Sequence, residues 1–422
     1  MPALNPALVD DDDALARYDS RGVLRSLATA GAQVREAVRH SADAGVGRVA
    51  GGSRPRSVLV AATGGTAVVG DALAWFAGSG SPVPIDTRSH GPLPGWVGSL
   101  DLVIAVSQSG RAAGPVGLAA EAARRGAFLL TVGAPDSPLA AVCAQARGVH
   151  VDVPTTRTSS RTALWSMLTP VLLAAEALGL ARVGPEVLEA TADRLDRAAA
   201  SFRPTSESFV NPAKILAADL AEGVPVVIGD CPLSGVAARR AVSVLARIAR
   251  VPALAGELPG AASAAVALLD GPYTQSGAQA AAAAAGHLPG QGGDLLTGIF
   301  RDPYLDGPPD ASLAVLILRD ASLELPPSGL GEAQIARPGA DQAVGSVGAG
   351  QSREDLADAV VAVARESGIR VSEARADPGH TLERLADLTS LVDFAATYLA
   401  IGLGLDPSVS SHLSRLRERT SG

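Results

Sequence analysis

Apolar positions along this chain come in short dense runs separated by helical patterns. "SVLVAAT" (57–63), "VPIDTR" (83–88), "LDLVIAVSQ" (100–108), "AFLLTVG" (127–133) and "VHVDVP" (149–154) read as strands, with Ala-rich amphipathic stretches between them. Near-continuous apolar runs alternating with helices predict a parallel sheet covered on both faces. The same grammar returns later in "GVPVVIGD", "VPALAG", "AAVALLD", "LAVLILRD" and "GIRVSEARAD", all read as buried strands, interleaved with "GVAARRAVSVLARIAR" and "REDLADAVVAVARES". The expected fold class is therefore α/β, with two domains that are each a mainly parallel sheet sandwiched by helices.

The expected division starts with an acidic segment over 1–25. A first domain covers 26–185 and opens with a helix from about Ser26 to His40. A linker follows over 186–204, the body of a long helix "PEVLEATADRLDRAAASF" with proline at its start. A second domain covers 205–405 and ends in the long apolar pattern "TLERLADLTSLVDFAATYLAIGL", after which 406–422 form a C-terminal helix. Two stretches, 274–294 and 325–352, are rich in Gly, Pro, Ala and small polar residues; they bury too little to offset their ordering entropy and are expected as mobile loops.

Composition narrows the classes. With 422 residues and 47% hydrophobic content the chain suits more than one core, and no run reads as a membrane span or a leader, so a cytoplasmic protein without membrane contact is expected. A formal charge of −8 disfavours nucleic acid as a partner. Among the 35 basic residues Lys214 is the only lysine, so anion recognition falls to arginine. Cys143 and Cys231 stand far apart, in no metal-ligand or disulfide spacing, and read as two buried thiols with no metal site.

Chemistry concentrates where two strands end. "VIAVSQSG" runs from a buried strand into Ser107, Ser109 and Gly110, and "LVAATGGTAVVGD" runs into Gly64, Gly65 and Thr66. At such turns hydroxyls join the free N–H groups of the next helix, and glycine lets the backbone approach a ligand. Simple helix capping is the alternative for each serine. Neither turn is a GxGxxG or a P-loop, so no nucleotide cofactor is implied, and a small phosphorylated ligand fits two hydroxyl-ended turns in one sheet.

These segments resemble the sugar isomerase (SIS) domain proteins, and within them the bifunctional phosphoglucose/phosphomannose isomerases. "SSRTALWSML", "VNPAKILAADL" and "VDFAATYLAIGLGLDP" extend the resemblance over most of the chain. It implies that Thr66, Ser107 and Ser109 hold the 6-phosphate of a glucose, mannose or fructose ester. Arg161 would stand beside the reacting carbons, a solvated surface arginine being its alternative. No cofactor is implied, and a cytoplasmic homodimer is.

The resemblance breaks at the acid–base groups. The family's base glutamate aligns with Ala265 in "VPALAGELPGAASAAVALLD", its terminal lysine with Arg417, and the threonine completing its serine motif with Ala112. Replacement catalytic candidates are Glu257, Asp270, His287 and Lys214, read otherwise as a loop carboxylate, a strand-end cap, a solvated loop histidine and an interface cap. Aldose–ketose isomerisation needs a base at the C1–C2 edge, so two readings stay open: an isomerase, or a pseudo-isomerase that senses sugar phosphate or scaffolds a partner enzyme.

Overall fold

The computed structural model describes residues 4–274, 312–320 and 353–412, apart from 53, 79–80 and 156–158, together with 415 and 419. Most of the expected loops at 274–294 and 325–352, with His287 and Arg417, lie outside the described residues.

Two parallel sheets form the molecule. The first has β1 (Val58–Ala62), β2 (Ile85–Arg88), β3 (Leu102–Ser107), β4 (Phe128–Gly133) and β5 (Val149–Asp152) in the order β2-β1-β3-β4-β5. The second has β6 (Val224–Gly229), β7 (Leu254–Glu257), β8 (Leu313–Arg319) and β9 (Arg370–Arg375) in the order β7-β6-β8-β9. Centre and edge follow the apolar pattern. β1, β3 and β8 are buried at every residue, whereas β2 is half-buried and β7 and β9 are largely open to solvent. "VPALAG" and "GIRVSEARAD" are thus edge strands, not buried ones.

A larger departure is "AAVALLD", expected as a strand and found as the helix Ala262–Leu268. Four of its seven residues are alanine, the strongest helix former, and only Val266 is β-branched, so intrinsic preference favours the helix. The expected helix at Ser26 to His40 is two helices, Val23–Leu27 and Ala30–Ala44, whereas the linker helix is found at Pro185–Ser201, matching its proline start. The acidic opening forms the short helices Ala7–Asp10 and Asp12–Tyr18, with Asn5 N–H donating to the Gly402 carbonyl at 2.9 Å.

One apolar cluster joins the halves, drawing on Val60 and Leu73 beside the first sheet, Leu168, Val244 beside the second sheet, and Leu399. Its axis is the closing helix Thr381–Gly402. By length and composition alone this helix passes for a membrane span, but 89% of its most apolar window is buried inside the protein. Each large aliphatic side chain buried there contributes about 1.5–3 kcal/mol, so the two sheets share an interior.

Candidate functional site

Strand order reverses between β1 and β3. The chain leaves β1 through the helix Val68–Ala77 to reach β2 on one side, and leaves β3 through Ala113–Arg124 to reach β4 on the other. A crevice at the carboxyl ends of strands where crossovers diverge is the usual ligand site of a parallel sheet. Register pairs Ala62 with Val106, so the turns 63–66 and 107–112 begin side by side in that crevice.

In the β3 turn, Ser107 is buried and its Oγ accepts the Ala112 N–H at 3.4 Å; Ser109 is exposed and its Oγ accepts the Arg111 N–H at 3.4 Å. Both hydroxyls act as acceptors in these bonds, so among the described residues each keeps its proton for a ligand. Gly110 and Gly64 turn the two loops with φ near +60°, a conformation that a Cβ disfavours. Thr66 differs: its hydroxyl donates to the Thr63 carbonyl at 2.9 Å and accepts the Thr63 N–H at 3.2 Å. Thr66 therefore shapes its turn with the hydroxyl that the sequence assigned to the phosphate.

Arg161 lies close by through its backbone. Arg240, buried in the helix Pro232–Val244, donates to the Arg161 carbonyl at 2.7 Å and to the Gly65 carbonyl at 3.4 Å. The Arg161 guanidinium itself donates to the Ser408 carbonyl at 2.9 Å, after the closing helix. Arg240 owes its fixed position to Asp393 of the closing helix, paired at 2.8 Å through both Nε and Nη2. Neither residue of this pair was singled out in the sequence. Asp393 inside the apolar run "TSLVDFAATYL" was the available signal, because a buried carboxylate needs a partner.

The second sheet has its own reversal point, between β6 and β8, and it is unlike the first. Asp230 accepts from Ser234 Oγ at 2.7 Å and from the Asp320 N–H at 3.1 Å, while Asp320 is paired with Arg384 at 2.6 Å. With Asp320 balanced by Arg384, the Asp230 carboxylate remains to disfavour a phosphate in that crevice. Cys231 caps the helix between them; burial and the nearby carboxylates push its thiol up to about 11 against the opposing Ser234 bonds, which favours the protonated thiol.

The remaining catalytic candidates separate. Glu257 ends β7 at the carboxyl edge of its sheet, where Arg239 bridges it at 3.1 Å to Asp71 at 3.0 Å, across to the helix following the β1 turn. Asp270 is exposed at the opposite edge, since the same segment meets the start of β8 through the Leu313 N–H to Tyr273 carbonyl bond. That position corrects its candidacy as a base. Lys214 is corrected too: its buried ammonium donates to Asp10 at 2.6 Å and to the Pro204 and Ser206 carbonyls at 2.7 and 2.8 Å, over the Tyr398 ring. All three of its protons are committed to holding the N-terminal helix on the linker's end. Ala265 is buried in an apolar cluster with Ile228, Leu258 and Leu269, where a carboxylate would be desolvated.

The Lys214 anchor carries a prediction. Burial pushes the Asp10 carboxyl up, but Lys214 and Ser208 outweigh it and leave it below the usual carboxylate range. A depressed acid stabilises the fold above its unfolded pKa and loses that contribution as pH falls through the folded value. Lys214→Met should cost about 2 kcal/mol at pH 7, largely from stranded carbonyls, with a part that is lost progressively as pH falls below about 4. Urea unfolding of both proteins at about pH 7 and about pH 2.5 checks it.

An open groove of about 810 Å³ lies elsewhere, between Leu15–Thr29 and the end of the linker helix, and includes none of the crevice residues.

Comparison with known proteins agrees with the architecture. Residues 209–324 and 346–420 match the bacterial phospho-glucose isomerase C-terminal SIS domain. Among solved structures, the hypothetical protein TT0462 from Thermus thermophilus is 16% identical with a TM-score of 0.58, covering 97% of this chain and 93% of its own. A phosphosugar isomerase assignment from Clostridium difficile is 11% identical at 0.55, over 94% and 97%. The C-terminal domain of glucosamine-fructose-6-phosphate aminotransferase from Francisella tularensis is 13% identical at 0.53, over 91% and 97%. None of the curated proteins compared matches the chain. At these identities the structures establish the fold alone: two helix-covered parallel sheets of the SIS type. Within that fold, the matched residues 209–324 and 346–420 make this chain's second half similar to the C-terminal SIS domain of bacterial phospho-glucose isomerases.

Proposed function

We propose that the chain binds a hexose 6-phosphate in the crevice between β1 and β3 and does not isomerise it. The observation that carries the reading is the pair of turns at the first reversal point, where Ser107 and Ser109 offer hydroxyl protons beside two helix N-termini. Loss of isomerisation is supported by Ala265 in the apolar core and by the sites of Asp270 and Lys214. A second reading, an isomerase of glucose, mannose or fructose 6-phosphate with Glu257 as base, is favoured by one fact: Glu257 stands at the carboxyl edge of its sheet and is bridged by Arg239 to Asp71 of the helix following the β1 turn.

Phosphorus NMR of fructose 6-phosphate tests binding. The wild-type protein is expected to shift and broaden the phosphate resonance, and Ser107→Ala to weaken binding about 10-fold or more, the usual range for a hydrogen bond to a charged group. No change with wild-type protein at millimolar sugar phosphate would contradict the reading.

A further inference from the structure

The groove between Leu15–Thr29 and the end of the linker helix is walled by segments far apart in sequence. Arg21 and Arg25 line one wall, Arg203 follows the linker helix on the other, and the buried Leu24 and Phe394 give it an apolar floor. At about 810 Å³ it has room for a ligand of metabolite size. Its charge is one-sided, three arginines against the single carboxylate of Asp19, in a chain whose formal charge is −8. All three arginines are exposed, and among the described residues none lies within ion-pair distance of a carboxylate. Asp19 is committed to the backbone instead, where it accepts the Val23 and Leu24 N–H groups, the latter at 3.0 Å. The hydroxyl protons of the groove are committed too: Ser20 donates to Asp406, Ser26 to Thr162 Oγ1 at 2.7 Å and Thr29 to the Ser26 carbonyl at 2.7 Å. The donors left for a ligand are guanidiniums above apolar side chains.

From this arrangement we propose that the groove is a second ligand site, which takes a small organic polyanion: an apolar body carrying two or more phosphate groups. The inference is independent of the sugar-phosphate reading, since the groove shares no residue with the crevice between β1 and β3. A guanidinium suits this class because its planar fork gives two parallel donors to phosphate oxygens and its charge does not titrate in the physiological range. Charges drawn from two walls call for more than one anionic group on the ligand. One exposed arginine is ordinary solvated charge. Three around one apolar-floored cavity, with the local carboxylate and hydroxyl protons engaged elsewhere, focus a positive field into it. A cavity of this volume fits a metabolite, whereas a stable protein partner needs a broader face.

Isothermal titration of the full chain with ATP, pyrophosphate and adenosine decides it, using wild-type protein, Arg25→Gln, Arg203→Gln, the two combined, and Ser107→Ala. ATP is the probe that joins several phosphates to an apolar ring; pyrophosphate carries the charge alone and adenosine the ring alone. The expected pattern is one ATP per chain, pyrophosphate weaker by about 10-fold or more, and no heat from adenosine. Each single arginine substitution should weaken ATP binding about 10-fold and the pair about 100-fold, the usual range for bonds to a charged group. Added salt should weaken binding to wild type more than to the double variant. Because the substituted side chains are exposed, the variants should keep the fold, which circular dichroism checks. Ser107→Ala should bind ATP within about 2-fold of wild type, whatever becomes of fructose 6-phosphate. The proposal is overturned if wild type binds neither ATP nor pyrophosphate at millimolar concentration, or if the double variant stays within about 2-fold of wild type. It is equally overturned if Ser107→Ala abolishes ATP binding, which would place the nucleotide in the crevice. Light scattering on the same samples covers the other occupant: a change of oligomeric state in the double variant with ATP affinity unchanged would make the groove a contact between copies and not a ligand site.

Discussion

Asp393→Ala is expected to destabilise the protein by roughly 3–5 kcal/mol, because it leaves the Arg240 guanidinium buried without a counter-charge. Arg240 is 1% exposed and Asp393 6%. Burial pushes the Asp393 carboxyl up while Arg240 opposes it, the signature of a carboxylate whose charge depends on one partner. The loss reaches the site as well, since the same guanidinium holds the Gly65 and Arg161 carbonyls. Replacing both members, Arg240→Met with Asp393→Leu, should recover only part of the stability, because the apolar pair has no charge to desolvate but leaves the Gly65 and Arg161 carbonyls without their donor. Urea denaturation measures both; a single-variant loss under about 1 kcal/mol would mean that water reaches the pair.

Gly133→Ala is expected to weaken sugar-phosphate binding by roughly 100-fold without altering any residue of the two turns. Gly133 ends β4 opposite Ser107 in the register, and a Cβ there would run into the Ser107 carbonyl oxygen. That obstacle is backbone, so the strand or the turn must shift. Overpacking of this kind costs about 1–3 kcal/mol, and displacement of Ser107 should weaken binding by roughly 100-fold, the upper range for one lost bond to a charged group. Titration of fructose 6-phosphate into the folded variant checks it; unchanged affinity would remove Ser107 from the site.

Much of this molecule was legible in the sequence where local signals agree. "SVLVAAT" and "LDLVIAVSQ" carry unbroken apolar runs over 58–62 and 102–106 that pass into hydroxyl residues, and they hold the central strands whose turns meet at the reversal point. Periodicity cannot tell a buried strand from a short buried helix, which is why "AAVALLD" misled, and alanine content was the better guide there. Edge strands were misjudged because burial depends on neighbours, and β7 and β9 each have one.

Long-range polar contacts were the least visible. Lys214 meets Asp10 across most of the first half of the chain, and no spacing rule encodes such a meeting. Arg239, Arg240 and Arg247 look alike in "AARRAVSVLARIAR", yet one bridges two carboxylates, one is buried on Asp393 and one reaches Gly65. Only the register of the helix Pro232–Val244 and of the π-helical turn after it, Leu245–Ala249, separates them.

The central claim is a kept phosphate cradle on a scaffold without the isomerase base. Proton NMR of fructose 6-phosphate incubated in D₂O with excess protein tests both halves at once. The account predicts broadened sugar resonances, lost in Ser107→Ala, with no glucose or mannose 6-phosphate formed and no deuterium entering at the carbons next to the carbonyl. Appearance of an aldose, or deuterium exchange that Ser107→Ala removes, would contradict it and make Glu257 the first residue to replace.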